Sequence, residues 1–130
     1  MRVLLVEDND VNRRVVREML RAGGIEMAEA ADGEIGLQMI ADSDYDVVLM
    51  DLRMPGMDGM TAIRRLRARG DAKASLPVIV VTADAGSSIE PDCLAAGADG
   101  VLLKPVSMNG LFDAIGKVVA GRKGGDILVA

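Results

Sequence analysis

Five polar side chains stand directly after short apolar runs, and their chemical types suit the transfer of a phosphoryl group. They are two neighbouring acids, a third acid, a threonine and a lysine: Glu7, Asp8, Asp51, Thr82 and Lys104. Three carboxylates that lie close together repel one another, so they stay ionised only when a cation lies among them. Such oxygen ligands suit Mg2+, which favours phosphate chemistry. The threonine hydroxyl and the lysine ammonium could hold phosphoryl oxygens while a carboxylate accepts the phosphorus.

The composition excludes several other kinds of chemistry. The chain has no histidine and a single cysteine, Cys93, so an internal disulfide, the usual zinc sites and a Ser-His-Asp triad are excluded. The 15 basic and 20 acidic residues give a net charge of −5, and tryptophan is absent. Nucleic-acid binding needs basic patches or stacking aromatic side chains, so we expect no nucleic-acid partner.

The chain has 130 residues, half of them hydrophobic, which predicts one folded domain with its own core. We assign residues 1–121 to that domain and residues 122–130 to a flexible C-terminal tail, because a glycine- and lysine-rich run begins there. No apolar run reaches the roughly 18 residues of a transmembrane span, and acids follow the first run too early for a signal peptide. We therefore expect a cytoplasmic protein without membrane insertion.

The apolar runs themselves predict β-strands. Residues 3–6, 47–50, 78–81 and 101–103 form continuous runs that are typical of strands buried on both faces. A weaker pattern over residues 26–30 predicts a fifth strand at an edge of the sheet. Alternation of these strands with helical segments predicts a parallel sheet covered by helices on both faces. Each polar residue alone could be an ordinary strand end, but all five would meet at the edge where such folds bind ligands.

Apolar residues at helical spacing predict which face of each helix is buried. The predicted stripes are Val11, Val15, Met19 and Leu20 in the first helix, Gly36, Leu37 and Ile40 in the second, Ala62, Ile63 and Leu66 in the third, and Met108, Leu111, Phe112, Ile115, Val118 and Val119 in the last. We also predict that Met39 and Met50 lie in the core. Most arginines of the third helix should point outward. The fourth helix, within residues 87–96, should be short, late-starting and mobile, because glycine and serine precede it and Pro91 is tolerated only in a first turn.

Four motifs carry a family resemblance that covers about residues 2–120. They are Val6-Glu7-Asp8-Asn9, the stretch 48–59 around Asp51, Val80-Val81-Thr82-Ala83 and Leu102-Leu103-Lys104-Pro105. In this order and spacing they resemble the receiver domain of two-component response regulators, the CheY-like family. The resemblance implies a flavodoxin-like, doubly wound α/β fold, with a five-stranded parallel sheet of order 2-1-3-4-5 and five helices.

The resemblance also implies a role for each polar residue. Asp51 would accept a phosphoryl group from the phosphohistidine of a sensor histidine kinase or of a histidine phosphotransfer protein. Thr82 and Lys104 would hold phosphoryl oxygens, and the Lys104–Pro105 bond would be cis. The cofactor would be Mg2+. Its ligands would be Asp8 and Asp51 directly, Glu7 through water and the main-chain carbonyl of Arg53.

Two other functions could use the same residues. A haloacid-dehalogenase-like phosphatase also has an aspartate after a parallel strand, but it has a second aspartate two residues later, where this chain has Arg53. Such phosphatases also need a cap and a longer chain. The other alternative is a degenerate interaction module that is not phosphorylated, and the intact set of five polar residues argues against it.

The sequence leaves the output of a receiver open. No DNA-binding domain, kinase domain or phosphotransfer helix is evident, so the chain is a stand-alone receiver or part of a longer protein. Residues 8–12 resemble the start of receivers in hybrid sensor kinases, so we favour the receiver of a hybrid kinase. Receivers of this kind dock a phosphotransfer protein through the first helix and the loop after the fifth strand, and a homodimer is left open. The docking residues would be Val11, Val15, Pro105, Val106 and Ser107.

Two further positions bear on how the domain would respond. Arg53 and Asp84 stand two residues after Asp51 and Thr82, carry opposite charges, and should face each other where they slow the loss of a phosphoryl group. Val101 stands where receivers commonly have Tyr or Phe, and a valine has no ring to swing. We therefore expect a conformational response to run through residues 82–88 and the fourth helix.

Overall fold

The computed structural model describes the backbone of residues 1–129 and the side chains of residues 1–121. The strands are β1 (Arg2–Val6), β2 (Glu26–Ala30), β3 (Val47–Asp51), β4 (Val78–Thr82) and β5 (Gly100–Leu103). The helices are α1 (Asp10–Ala22), α2 (Gly33–Asp42), α3 (Gly59–Arg67), α4 (Ile89–Ala96) and α5 (Met108–Val129). The predicted tail over residues 122–130 lies outside the residues whose side chains are described, and the domain boundary stays a prediction.

The five strands form one parallel sheet in the order β2-β1-β3-β4-β5, which confirms the predicted fold class and topology. Alternate strand residues enter two separate cores, one on each face of the sheet. In β1, Val3 and Leu5 pack with α1 and α5, whereas Leu4 and Val6 pack with α2, α3 and α4. Successive strand residues point to opposite faces, so a strand buried on both faces must be apolar throughout.

The prediction that residues 101–103 are buried on both faces is wrong. Leu103 is 52% exposed, and Val101 and Leu102 are only partly buried. The reason is position, because β5 is an edge strand that has a neighbouring strand on one side only. β2 forms the other edge, which confirms the interpretation of its weaker apolar pattern.

Side-chain caps begin four of the five helices. Asn9, Asp32 and Asp58 each accept a hydrogen bond from the main-chain N–H three residues later, at 2.9, 2.8 and 2.8 Å. In α5, the Ser107 hydroxyl oxygen accepts from the main-chain N–H of Gly110 at 2.9 Å. Each bond satisfies an N–H that has no partner within the helix. α4 lacks such a side-chain cap, begins at Ile89 and has Pro91 in its first turn. A short, late-starting fourth helix is therefore confirmed, while its mobility stays a prediction.

The predicted stripe of α1 is confirmed at Met19 and Leu20, which pack in the core, but it is wrong at Val11 and Val15. Val16 and Leu20 are buried, but Val11 and Val15 are 66% and 46% exposed. Adjacent residues project about 100° apart around a helix. Because Val16 faces the sheet, the stripe formed by Val11 and Val15 lies at the surface.

The predicted stripes of the other helices are confirmed with one exception. Met108 is 39% exposed, because it is the first residue of α5 and lies at the end of the buried stripe. Met50 is buried, and Met19 and Met39 pack partly buried against the two cores. The confirmed stripe residues are Gly36, Leu37, Ile40, Ala62, Ile63, Leu66, Leu111, Phe112, Ile115, Val118 and Val119. Within the part of the chain that the structure describes, no helix combines the length and the apolar character needed to cross a membrane.

Arg67 links α3 to the segment that follows it and to the connection between α4 and β5. It is the exception to the predicted outward orientation of the α3 arginines. One of these segments contains a 3-10 turn at Ala72–Ser75, which was not predicted. The Arg67 guanidinium donates to three main-chain oxygens and to one carboxylate, at 2.9, 2.7, 2.9 and 3.0 Å. The acceptors are those of Ala74, Leu76, Gly97 and Asp99. These bonds hold the end of α3 against the connection between α4 and β5.

Candidate functional site

The predicted site residues meet at the carboxyl ends of β1, β3, β4 and β5. Strand pairing aligns these ends, because Val6 lies opposite Met50, Asp51 opposite Val81 and Thr82 opposite Leu103. Residues that end or follow these strands are therefore neighbours along one edge of the sheet. As one result, Lys104 contacts Glu7, which lies 97 positions earlier in the chain.

Glu7, Asp8 and Asp51 form an acidic cluster in which one oxygen of each carboxylate lies within 4.8 Å of the others. Glu7 and Asp51 are buried, at 3% and 7% exposure, whereas Asp8 is exposed. Among the described side chains, this is the one group of three or more metal-binding residues. Carboxylate oxygens this close repel one another and offer hard ligands to a divalent cation. The donor set therefore fits Mg2+.

Lys104 balances part of this negative charge. Its ammonium group lies 2.7 Å from Glu7 Oε1 and 3.4 Å from Asp51 Oδ1. Burial lowers the pKa of Lys104, but the hydrogen bonds and the charges of both carboxylates outweigh it, so the pKa is raised above its ordinary value. Lys104 therefore stays protonated and keeps a positive charge beside Asp51.

Thr82 ends β4 and is 1% exposed. Its hydroxyl oxygen accepts a hydrogen bond from the main-chain N–H of Asp84 at 3.1 Å. A hydroxyl that accepts one hydrogen bond can still donate another, so Thr82 can donate to a phosphoryl oxygen. Its carbonyl accepts from the N–H of Lys104 at 2.8 Å, and the Lys104–Pro105 bond is cis as predicted.

Gly59 allows α3 to begin directly behind Asp51. A Cβ atom at this position would lie 2.2 Å from the main-chain oxygen of Asp51 and 2.9 Å from Cα of Leu52. The N–H of Gly59 donates to the Leu52 carbonyl at 2.9 Å. Only a residue without a Cβ atom permits this approach. The sequence did not predict that Gly59 holds the loop after Asp51.

Arg53 and Asp84 form the predicted ion pair between the loops that follow β3 and β4, with 2.6 Å between Nη2 and Oδ2. The Arg53 side chain is 80% exposed. Asp84 also accepts from the N–H of Gly86 at 2.9 Å. That hydrogen bond, followed by the one from Arg53, lowers the pKa of Asp84. Both partners are therefore charged, and Asp84 connects Arg53 to the turn that precedes α4.

Arg13 is a neighbour of the site that sequence reasoning missed. Its guanidinium donates to the main-chain oxygen of Glu7 at 2.7 Å and binds the carboxylate of Asp10. The spacing of Asp10 and Arg13, three residues apart on a helix, is a sequence signal for their ion pair. No pattern in the sequence indicates the bond to Glu7.

A largely apolar groove of about 360 Å3 opens beside the acidic cluster, between α1 and the loop after β5. Two of the predicted docking residues, Val11 and Ser107, do not line it. The other three docking residues, Val15, Pro105 and Val106, contribute to its apolar lining. The site residues Glu7, Asp51 and Lys104 contribute to its polar lining. A partner that binds this groove would therefore contact Asp51.

Comparison with known proteins gives a family match over most of the chain. The family model described as "Response regulator receiver domain" matches residues 3–116. The chain is 42% identical over 111 residues to the two-component response regulator ORR41 of Oryza sativa subsp. japonica, with 82% of this chain and 85% of that protein covered. It is 37% identical over 111 residues to the sensor histidine kinase RcsC of Salmonella typhi, with 85% of this chain and 11% of the kinase covered. The chain thus spans about a tenth of the kinase.

Solved receiver structures share the fold. One is the receiver domain of the sensor histidine kinase PA1611 from Pseudomonas aeruginosa PAO1, which has a TM-score of 0.84 and 35% sequence identity to this chain. The match covers 92% of this chain and 97% of that one. That structure contains a magnesium ion coordinated in its active-site cleft.

Proposed function

Because this chain belongs to the response regulator receiver domain family, we propose that Asp51 accepts a phosphoryl group from a phosphohistidine and that the transfer switches binding of a partner. The sequence contains no histidine, so the donor belongs to another domain or another protein. A sensor histidine kinase or a histidine phosphotransfer protein supplies such a donor. Both kinds of match, to a response regulator and to a sensor histidine kinase, support this role in two-component signalling.

The position of Asp51 is the observation that carries the proposal. Asp51 ends β3, the middle strand of the sheet. Its carboxylate therefore has the acids that follow β1 on one side and the residues of β4 and β5, Thr82 and Lys104, on the other. Glu7 also contacts Lys104, but it follows β1 and lies one strand further from Thr82. Asp51 is thus the carboxylate between the possible metal ligands and the possible phosphoryl ligands.

The proposed reaction is a substitution at phosphorus. One oxygen of Asp51 bonds to phosphorus, the bond from phosphorus to the donor's imidazole nitrogen breaks, and its electron pair stays on the imidazole. Lys104 stabilises the ionised carboxylate before the transfer and a phosphoryl oxygen after it. The Thr82 hydroxyl donates to a second phosphoryl oxygen. The only catalysis in this proposal is the domain's own phosphorylation and dephosphorylation.

Glu7, Asp8 and Asp51 would hold Mg2+, with Glu7 acting through water and the main-chain carbonyl of Arg53 as a further ligand. When bound, Mg2+ neutralises negative charge on the phosphoryl oxygens. The mixed burial of the cluster supports this assignment. The buried Glu7 and Asp51 are held by Lys104, while the exposed Asp8 can be reached from solvent.

A haloacid-dehalogenase-like phosphatase is disfavoured by Arg53. Such an enzyme needs a second carboxylate two residues after its nucleophile, whereas here a guanidinium occupies that position and binds Asp84. The groove beside α1 supports a receiver instead. It leads from apolar residues to Asp51, so a partner helix that packs in the apolar part would bring an imidazole to the carboxylate. Membership of a hybrid kinase remains our preferred context, and a homodimer is left open.

Phosphorylation by acetyl phosphate tests the acceptor, with mass spectrometry of the intact protein to count added phosphoryl groups. We expect the wild type and Asp58→Asn to be phosphorylated and Asp51→Asn not to be. Asp58 is a matched control, because it lies in the same loop and an asparagine keeps its helix cap. Phosphorylation should stop in excess EDTA. Labelling of Asp51→Asn at the wild-type rate, or labelling that ignores EDTA, would refute the proposal.

A further inference from the structure

Arg13 lies near the start of α1 with its side chain 17% exposed. Its Nη1 donates to the main-chain oxygen of Glu7 at 2.7 Å, its Nη2 binds the Asp10 carboxylate, and its Nε lies 3.5 Å from Glu29 Oε1. The donors of a guanidinium are fixed in one plane. Three acceptors around that plane therefore hold the group in one orientation.

The carbonyl that Arg13 binds belongs to the peptide that joins Glu7 to Asp8. On the other side of Glu7, the main-chain N–H donates to the carbonyl of Ala30 at 3.0 Å. A peptide is planar, so fixing its oxygen fixes the direction in which the chain leaves β1. Asp8 is the exposed acid of the cluster, and the direction of its side chain depends on this main chain more than on packing.

Charge alone does not account for this arrangement. Arg13 and Arg17 are positive, Asp10 and Glu29 are negative, and the four charges balance. Arg17 donates to both oxygens of Glu29, each at 2.8 Å, and lies about one helical turn beyond Arg13. The two arginines thus share an acid partner, but Arg13 also binds the main chain between the two acids that follow β1.

The geometry points to Arg13 as a positioning residue for the metal site. It holds the peptide between Glu7 and Asp8 so that both carboxylates face the position of the cation, and it contacts neither the cation nor the phosphoryl group. This inference rests on the proposed function, because it takes Glu7, Asp8 and Asp51 as the ligands of Mg2+. It adds a residue outside the acidic cluster on which the affinity for Mg2+ depends.

The test compares the same substitution at the two arginines. Mg2+ alone is titrated into the wild type, Arg13→Lys and Arg17→Lys, and binding is followed by the amide chemical shifts of Asp8 and Asp51. Lysine keeps the positive charge but cannot bind three acceptors in one plane. We expect the Kd for Mg2+ to rise roughly tenfold in Arg13→Lys, as is common when an outer partner of a metal ligand is lost. Arg17→Lys should keep the wild-type Kd.

Urea unfolding of the same variants separates positioning from general stability. We expect both substitutions to lower stability, but only Arg13→Lys to weaken Mg2+ binding. Equal Kd values in the two variants would overturn the inference. It would also be overturned if Arg17→Lys folds but neither Arg13→Lys nor Arg13→Met does. If the wild type itself does not bind Mg2+, the proposed function fails first, and the inference fails with it.

Discussion

The ion pair of Arg53 and Asp84 should slow the hydrolysis of a phosphorylated Asp51. Each residue follows a site residue by two positions, and their contact of 2.6 Å joins the loops after β3 and β4. Water must approach the phosphorus from the open side of the site, opposite the Asp51 oxygen. We expect Arg53→Ala and Asp84→Asn to speed dephosphorylation, because either change opens that approach.

The exposure of the pair sets the size of the effect. The Arg53 side chain is 80% exposed, so solvent screens its attraction to Asp84. Exposed ion pairs favour the paired state by at most about fivefold. If water enters only when the pair is open, hydrolysis is slowed by a similar factor, and each substitution should raise its rate by about two- to fivefold.

The assay follows the decay of the phosphorylated fraction by mass spectrometry, after loading with acetyl phosphate and Mg2+ and removal of the donor. Asp84→Asn is preferred to alanine, because the amide oxygen can still accept from the N–H of Gly86. Arg53→Ala leaves the main-chain carbonyl in place. Arg65→Ala, an exposed arginine of α3, is the control and should decay like the wild type.

Two further observations check the reasoning. The double variant should decay no faster than the faster single variant, because the second substitution finds no pair to break. High salt should speed decay in the wild type more than in either variant, because salt screens an exposed pair. Unchanged decay in both single variants would remove the pair from the mechanism, and additive effects would show that the residues act separately.

Two other predictions concern the stability of the fold and its response to phosphorylation. Arg67→Ala removes four hydrogen bonds of a charged group. We expect this substitution to lower the free energy of unfolding, measured with urea, by about 3–5 kcal/mol. The control Arg65→Ala should lower it by about 0.5 kcal/mol or less. A loss below about 1 kcal/mol for Arg67→Ala would contradict this prediction, because that is roughly the net contribution of a single hydrogen bond. Beryllofluoride with Mg2+ should change amide exchange over residues 82–95 and near Lys104, because hydrogen bonds connect Thr82 through Asp84 and Gly86 to the start of α4; a large change centred on Val101 would contradict it.

The sequence by itself determined the strands, their parallel arrangement and the edge at which the site lies, whereas the strand order came from the family resemblance. Apolar runs followed by polar residues predicted the ends of β1, β3 and β4, and alternation with helices predicted that these ends share one edge. Helix starts also have local causes, since the caps Asn9, Asp32 and Asp58 act within three residues of themselves. Such features can be predicted because their causes are local, or repeat with the period of the strand. The role of each site residue came from the family resemblance, not from periodicity.

Only the tertiary structure decided which surfaces are buried and which long side chains meet. α1 has two adjacent apolar stripes, and packing against the sheet buried Val16 and left Val15 exposed. β5 has a strand-like apolar run, but its edge position exposes Leu103. The bonds that Arg13 and Arg67 make to main-chain oxygens also escaped prediction. A flexible arginine can reach many acceptors, and the positions of the surrounding helices and strands determine which of them it binds.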